Sequence, residues 1–155
     1  MKIWNKNIKT SNSSIDAFLS GEDIVLDQEL FLYDIEASIA HAEELQAINI
    51  LNASELKKMV SALKKLAKLF SINKFKLTKK FEDCHSAIED FLIKELGDLG
   101  KKIHTGRSRN DQVLVAMRLY ARDHLQEIQA LNLKIAQAFL DKASKHSTDL
   151  SLIHI

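Results

Sequence analysis

Apolar residues recur at intervals of three and four through most of this chain, the period of an amphipathic helix. A first helix is predicted from Asp27 to Ile48, with Asp27 as its cap and Leu30, Tyr33, Ala37, Ala40 and Leu45 directed inward. Residues 51–53 read as a short connector. Asn52 followed by Glu55 has capping-box spacing, and Leu56, Met59, Val60, Leu63, Leu66, Ala67 and Phe70 then form one apolar stripe. The lysines at 57, 58, 64, 65 and 68 flank that stripe and read as a solvated face. A third helix is expected from Asp83 to Leu96, with Ala87, Ile88, Phe91 and Leu92 inward and Gly97 as its stop.

The longest pattern runs from Asp111 to Lys145 without a breaker. Val113, Met117, Tyr120, His124, Ile128, Leu131, Ile135 and Phe139 step along it by three or four. Such a helix is roughly 50 Å long, more than a small domain can bury. It predicts a long-helix bundle completed by residues or subunits outside this chain.

Composition supports helix and narrows the partners. The 155 residues include no proline and four glycines, three of which (Gly97, Gly100, Gly106) fall within ten positions. A hydrophobic content of 46% suits a buried core, not disorder. Lys plus Arg (22) nearly equals Asp plus Glu (21), so no global field favours nucleic acid or an anionic membrane. One cysteine, Cys84, excludes an internal disulfide framework and a Cys-based zinc cluster. The first residues lack a signal-peptide core, and no apolar run approaches the roughly 20 residues of a bilayer span, so a cytoplasmic location is expected.

Candidate chemistry concentrates at His104-Thr105-Gly106-Arg107-Ser108-Arg109-Asn110-Asp111-Gln112, where eight of nine side chains donate or accept hydrogen bonds. An arginine fork matches a carboxylate, and the free N–H groups of a helix start favour an anion. Gly106 allows a sharp turn or a close approach, Asp111 can cap the helix, and Asn110 can both donate and accept. The composition suits a small carboxylate-bearing ligand; an ordinary capped loop with arginines paired to nearby acids is the competing reading. His85 can position a ligand or move a proton, with Glu89 four residues on to orient it, although a surface pair is the simpler account. His41, His124, His146 and His154 read as structural, Cys84 as a buried thiol, and no metal set is evident.

Three segments together resemble argininosuccinate lyase: Ile103 to Val113, Asp83-Cys84-His85-Ser86-Ala87-Ile88-Glu89, and Met117-Arg118-Leu119-Tyr120. Lys2-Ile3-Trp4, Leu26-Asp27, Tyr33-Asp34-Ile35 and Ser38-Ile39-Ala40-His41-Ala42 extend the resemblance over nearly the whole chain. It implies an all-α fold of the fumarase/aspartase superfamily: an N-terminal helical domain at 1–110, and the start of the central long-helix bundle at 111–155. It further implies a homotetramer with three subunits at each active site, and reversible β-elimination of argininosuccinate to arginine and fumarate in arginine biosynthesis, without metal or organic cofactor. By the same resemblance Arg109, Asn110, His85 and Asp27 contact substrate, while Ser108, Asp111, Gln112 and Glu89 support them.

The chain also departs from the family. Trp4-Asn5-Lys6-Asn7-Ile8 stands where Trp-Gly-Gly-Arg-Phe is usual, and Ser20 is a weak match for the family's substrate-contacting serine. The family's Gly-Tyr-Thr-His-Leu-Gln and Gly-Ser-Ser motifs, which carry acid-base chemistry, are not found, and Ser151-Leu152-Ile153-His154-Ile155 does not replace the first. The expectation is an N-terminal piece of the lyase, inactive alone and prone to associate. A noncatalytic helical module of the same fold and a sister enzyme such as adenylosuccinate lyase are the alternatives.

Overall fold

The structure, a computed structural model, describes residues 23–78, 81 and 83–149. Among these residues every regular element is helical: α1 (Asp23–Ala47), α2 (Ala53–Ser71), α3 (Cys84–Leu96), a single turn α4 (Asp98–Lys101), a 3-10 turn (Lys102–His104) and α5 (Arg109–Lys145). Two compact units divide the chain, Met1–Leu119 and Tyr120–Ile155. The all-α fold expected from periodicity is present.

Local signals set most helix ends where the spacing puts them. The Asn52 side chain accepts from the Glu55 N–H while Glu55 accepts from the Asn52 N–H, both at 2.9 Å, which satisfies free donors at the start of α2. Asp83 does the same for α3 with Ser86, and Gly97 ends that helix. Between α1 and α2 the chain reverses through Asn49 at φ 62°, a conformation asparagine tolerates better than most residues.

In the first unit α1, α2 and α3 pack on one another. Phe31, Leu45, Leu51, Met59, Leu63, Leu66, Leu92 and Ile103 are almost wholly excluded from solvent at its centre. Phe31 stacks on Phe75 at 5.7 Å and meets Phe70 at 4.4 Å, and Phe75 takes the edge of Phe91 at 6.0 Å. The α2 stripe faces this core, Met59, Leu63 and Leu66 most deeply, and the five lysines lie outside it as expected.

Two sequence expectations change, both in α1. The first helix starts at Asp23, and Asp27, inside it, does not cap it: its carboxylate accepts the Cys84 N–H at 2.8 Å. The buried line of α1 is Ile24, Phe31, Ile35, Ala42 and Leu45; Ala37 and Leu45 are buried as expected, Leu30 and Tyr33 partly so, and Ala40 is exposed. This helix is apolar on several sides, so periodicity alone does not choose a face. In α5 the buried residues are Gln112 and Ala116, whereas Val113, Met117, Ile128, Leu131, Ile135 and Phe139 are exposed, in keeping with a helix too long for a small domain to bury.

Candidate functional site

The polar motif begins at the 3-10 turn and ends in the first turn of α5. Gly106 adopts φ 67°, the left-handed backbone that a side chain would strain, and this turns the chain toward Arg107. Ser108 precedes the helix: its hydroxyl donates to Asp111 Oδ2 at 2.7 Å, its N–H donates to the same oxygen at 3.1 Å, and it accepts the Asp111 N–H at 3.3 Å. Ser108 is thus the cap and Asp111 its partner inside the first turn, the reverse of the role expected for Asp111. Those bonds hold the Asp111 carboxyl below its ordinary pKa, the Ser108 hydroxyl contributing most.

The two arginines diverge. Arg107 turns inward, its side chain 6% exposed; Nη1 donates to Ser38 Oγ at 3.1 Å and Nη2 lies 3.7 Å from Asp34 Oδ1. Burial lowers its pKa, opposed by the negative charge of Asp34. Arg109, 30% exposed, donates to Asp83, the residue that caps α3. Asn110 is exposed beside it. Both arginines therefore have carboxylate partners, as the plainer reading of the loop expected. Only the fork of Arg109 is substantially open to solvent.

Asp34 and His85 occupy the buried centre of this region, 0% and 3% exposed. Asp34 Oδ2 lies 2.5 Å from His85 Nδ1. The Cys84 thiol donates to the same oxygen at 3.7 Å; burial, then the charges of Asp34 and Asp27, push its pKa up, so it stays a neutral thiol. Asp34 Oδ1 and Gln112 Oε1 are buried without a hydrogen-bond partner among the described residues. His85 is consequently not the surface residue the sequence suggested, and Glu89 does not orient it: Glu89 pairs with His104 at 2.8 Å. Neighbours four apart on a helix can meet, but here a closer tertiary partner takes each side chain.

Asp34, Cys84 and His85 bring three possible metal-ligand atoms within 4.8 Å of one another. Tetrahedral bonds of about 2.0–2.2 Å would hold the imidazole nitrogen and carboxylate oxygen roughly 3.3 Å apart. Their 2.5 Å separation, with the Arg107 cation on the other oxygen, suits a direct hydrogen bond instead.

On the other side of Arg107, a groove of about 500 Å³ runs between α1 and the motif, lined by Glu36, His41, Glu44, Thr105, Arg107 and Asp111 over an apolar floor. His41 Nε2 donates to the Thr105 carbonyl at 3.1 Å, which ties α1 to the motif. Partial burial, then the Arg107 charge, lowers its pKa.

Of the residues the sequence singled out, Arg109 reaches the start of α3 through Asp83, and Asp27 reaches it through the Cys84 N–H beside His85. Ser108 and Asp111 pair with each other, Asn110 stays exposed, and Glu89 turns to His104. Sequence reasoning missed Asp34, Ser38 and Asp83 as members of this region. Their signal was present: Tyr33-Asp34-Ile35 and Ser38 lie in segments resembling the family, and an aspartate within an apolar helix needs a partner. Trp4, Ser20 and His154 lie outside the described residues.

The sequence profile described as lyase matches residues 4–150. Argininosuccinate lyase of Xanthomonas euvesicatoria pv. vesicatoria (strain 85-10) is 50% identical over 141 residues, covering 91% of this chain and 33% of that relative. Argininosuccinate lyase of Stenotrophomonas maltophilia (strain R551-3) is 48% identical over the same length with the same coverage. The chain spans about a third of the length of these curated relatives.

Proposed function

Because this chain belongs to the lyase family, we propose that it forms the substrate-holding part of an argininosuccinate lyase, which eliminates arginine from argininosuccinate to leave fumarate. The observation carrying this reading is the half-open Arg109 fork at the N-terminus of α5, beside Asn110 and close to the α3 start that carries His85. Asp83 now fills one side of that fork, and a substrate carboxylate presents the same two oxygens to it. Helix N–H groups add to the attraction for an anion. Asn110 orients the succinyl portion, and Ser108, Asp111 and Gln112 hold the turn that presents it. Asp27, bonded to the Cys84 N–H, fixes the start of α3 and so the placement of His85.

Elimination breaks the C–N bond as a base removes the neighbouring carbon-bound proton and an acid protonates the departing nitrogen. This third of the enzyme binds and orients; the complete elimination requires residues beyond those described. The other two thirds of a full-length lyase, assembled as a homotetramer, supply them in this reading, and the exposed apolar line Val113, Met117, Ile128, Leu131 and Ile135 along α5 suits helix-bundle association. The expected location is the cytoplasm. Among the described residues no helix is long and apolar enough to cross a membrane.

A chimera tests the reading: this chain replaces the matching third of the Xanthomonas relative, and fumarate release is followed spectroscopically. Cleavage of argininosuccinate but not adenylosuccinate is expected. Arg109→Lys should then lower kcat/KM by about 10- to 100-fold, the equivalent of one charge-assisted hydrogen bond. An assembled chimera that leaves argininosuccinate intact sinks the proposal, and unchanged kinetics for Arg109→Lys removes Arg109 from the site. The 155-residue chain alone should release no fumarate.

A further inference from the structure

Three buried groups in the first unit form a line from the motif to α3: the guanidinium of Arg107, the carboxylate of Asp34 and the imidazole of His85. Their order is set by distance. Arg107 Nη2 faces Asp34 Oδ1 at 3.7 Å, and Asp34 Oδ2 meets His85 Nδ1 at 2.5 Å. Asp34 is fully buried and the Arg107 and His85 side chains nearly so, which removes the competition of water for those bonds. Arg107 places a cation on one side of Asp34, and a carboxylate oxygen that carries no proton only accepts hydrogen bonds.

We propose that Asp34 is a positioning residue for His85: clamped by Arg107, it takes the Nδ1–H of the imidazole and thereby makes Nε2 the nitrogen offered to substrate. The tautomer follows from the acceptor. With its proton committed to Nδ1, a neutral His85 presents an Nε2 lone pair, and on gaining a proton it presents an Nε2–H donor. The ring plane is fixed at the same time, because a hydrogen bond at a buried atom, with protein packed on every side, leaves little freedom of rotation. Cys84 reinforces the arrangement, its thiol also donating to Asp34 Oδ2. Arg107, from the same motif as Arg109, thus acts on the site through Asp34 while Arg109 faces outward. This inference rests on the proposed contact between His85 and substrate for its catalytic consequence, but not for the tautomer.

Asp34→Asn is the informative substitution because Arg107 has no hydrogen-bond acceptor of its own. The amide oxygen must turn toward the guanidinium, so the amide NH₂ faces His85 Nδ1 and donates to it. His85 is then forced into the opposite tautomer, with its proton on Nε2. The 155-residue chain, labelled with ¹⁵N in its histidine rings, reports this directly in long-range proton–nitrogen correlation spectra, with His85 identified by its loss in His85→Gln. In the native chain Nδ1 should carry the proton; in Asp34→Asn the proton-bearing nitrogen should become Nε2. A native spectrum with unprotonated Nδ1 overturns the proposal whether or not the variant folds. So does a folded Asp34→Asn chain that keeps the native tautomer.

The chimeric enzyme supplies the second arm. Asp34→Asn should reduce kcat/KM there by roughly 10- to 10,000-fold, the upper end being the loss seen where a histidine is forced into the wrong tautomer, while Asp34→Glu should recover part of the loss. An inverted tautomer with undiminished kcat/KM overturns the role in positioning. A chimera inactive even with native Asp34 refutes the lyase reading instead, and the tautomer result still decides whether Asp34 holds His85.

Discussion

Replacing Arg107 with methionine should destabilise the chain far more than the same change at Arg109, although the two residues stand two positions apart in one motif. The Arg107 side chain is 6% exposed and faces an Asp34 carboxylate that is 0% exposed, whereas the Arg109–Asp83 pair is 30% and 16% exposed. Removing one partner of a buried pair costs about 3–5 kcal/mol because the other charge is left uncompensated. His85 and Cys84 still satisfy Asp34 Oδ2, so the lower end applies, about 3 kcal/mol. Methionine keeps much of the apolar bulk, which limits any contribution from a cavity. The partly exposed Arg109 pair is worth about 1 kcal/mol or less. With a urea dependence near 2 kcal/mol per molar, Arg107→Met should lower the unfolding midpoint by roughly 1.5 M and Arg109→Met by less than about 0.5 M. Circular dichroism at 222 nm measures both, with unchanged slopes as the condition for comparison. Equal losses, or a drop below about 0.5 M for Arg107→Met, would show that Asp34 does not depend on Arg107. The kinetic ranking is independent: Arg109 is the arginine proposed to meet substrate.

Further consequences concern packing, pH and association. A Cβ on Gly100 would lie 2.4 Å from the Leu92 carbonyl oxygen, a backbone atom that cannot swing aside, so Gly100→Ala should cost about 1–3 kcal/mol in the same urea experiment; a neutral result would mean α4 can shift freely from α3. The pKa of His41 is lowered in the folded chain, so the folded state favours the neutral ring; its contribution is complete above about pH 6.5 and is lost as pH falls through the lower folded value. The midpoint difference between the native chain and His41→Gln, whose amide can still donate to Thr105, should therefore shift against the native chain between pH 7.5 and 5.5. A constant difference contradicts the assignment. The exposed apolar line on α5 should make the chain associate, and Ile128→Glu with Ile135→Glu should shift sedimentation toward monomer; native protein that stays monomeric at high concentration argues against a bundle-forming face.

Interactions that close within a few residues were legible before the fold was known. Asn52 with Glu55, the Asp83 cap, the Gly97 stop and the polar loop ahead of a long helix each follow from local hydrogen-bond geometry. Even locally the identity of a partner depended on where the helix began: two residues of added helix made Ser108 the cap and placed Asp111 inside the first turn. The face of α1 was not legible, because a helix apolar on several sides offers more than one register and the positions of its neighbours choose between them.

The sequence by itself determined that the chain is helical, where its main helices lie, that its candidate site residues concentrate at 104–112, and which family that motif resembles. Tertiary structure alone decided which arginine is buried, that Asp27 serves α3 and not its own helix, that Glu89 meets His104, and that Asp34 holds His85. The physical reason is separation along the chain. Asp34 and His85 are 51 residues apart, Asp27 and Cys84 57, and Ser38 and Arg107 69. No periodicity encodes contacts of that span; they form only when burial of the apolar faces of α1, α2 and α3 brings their polar groups into a space without water, where each must find a partner.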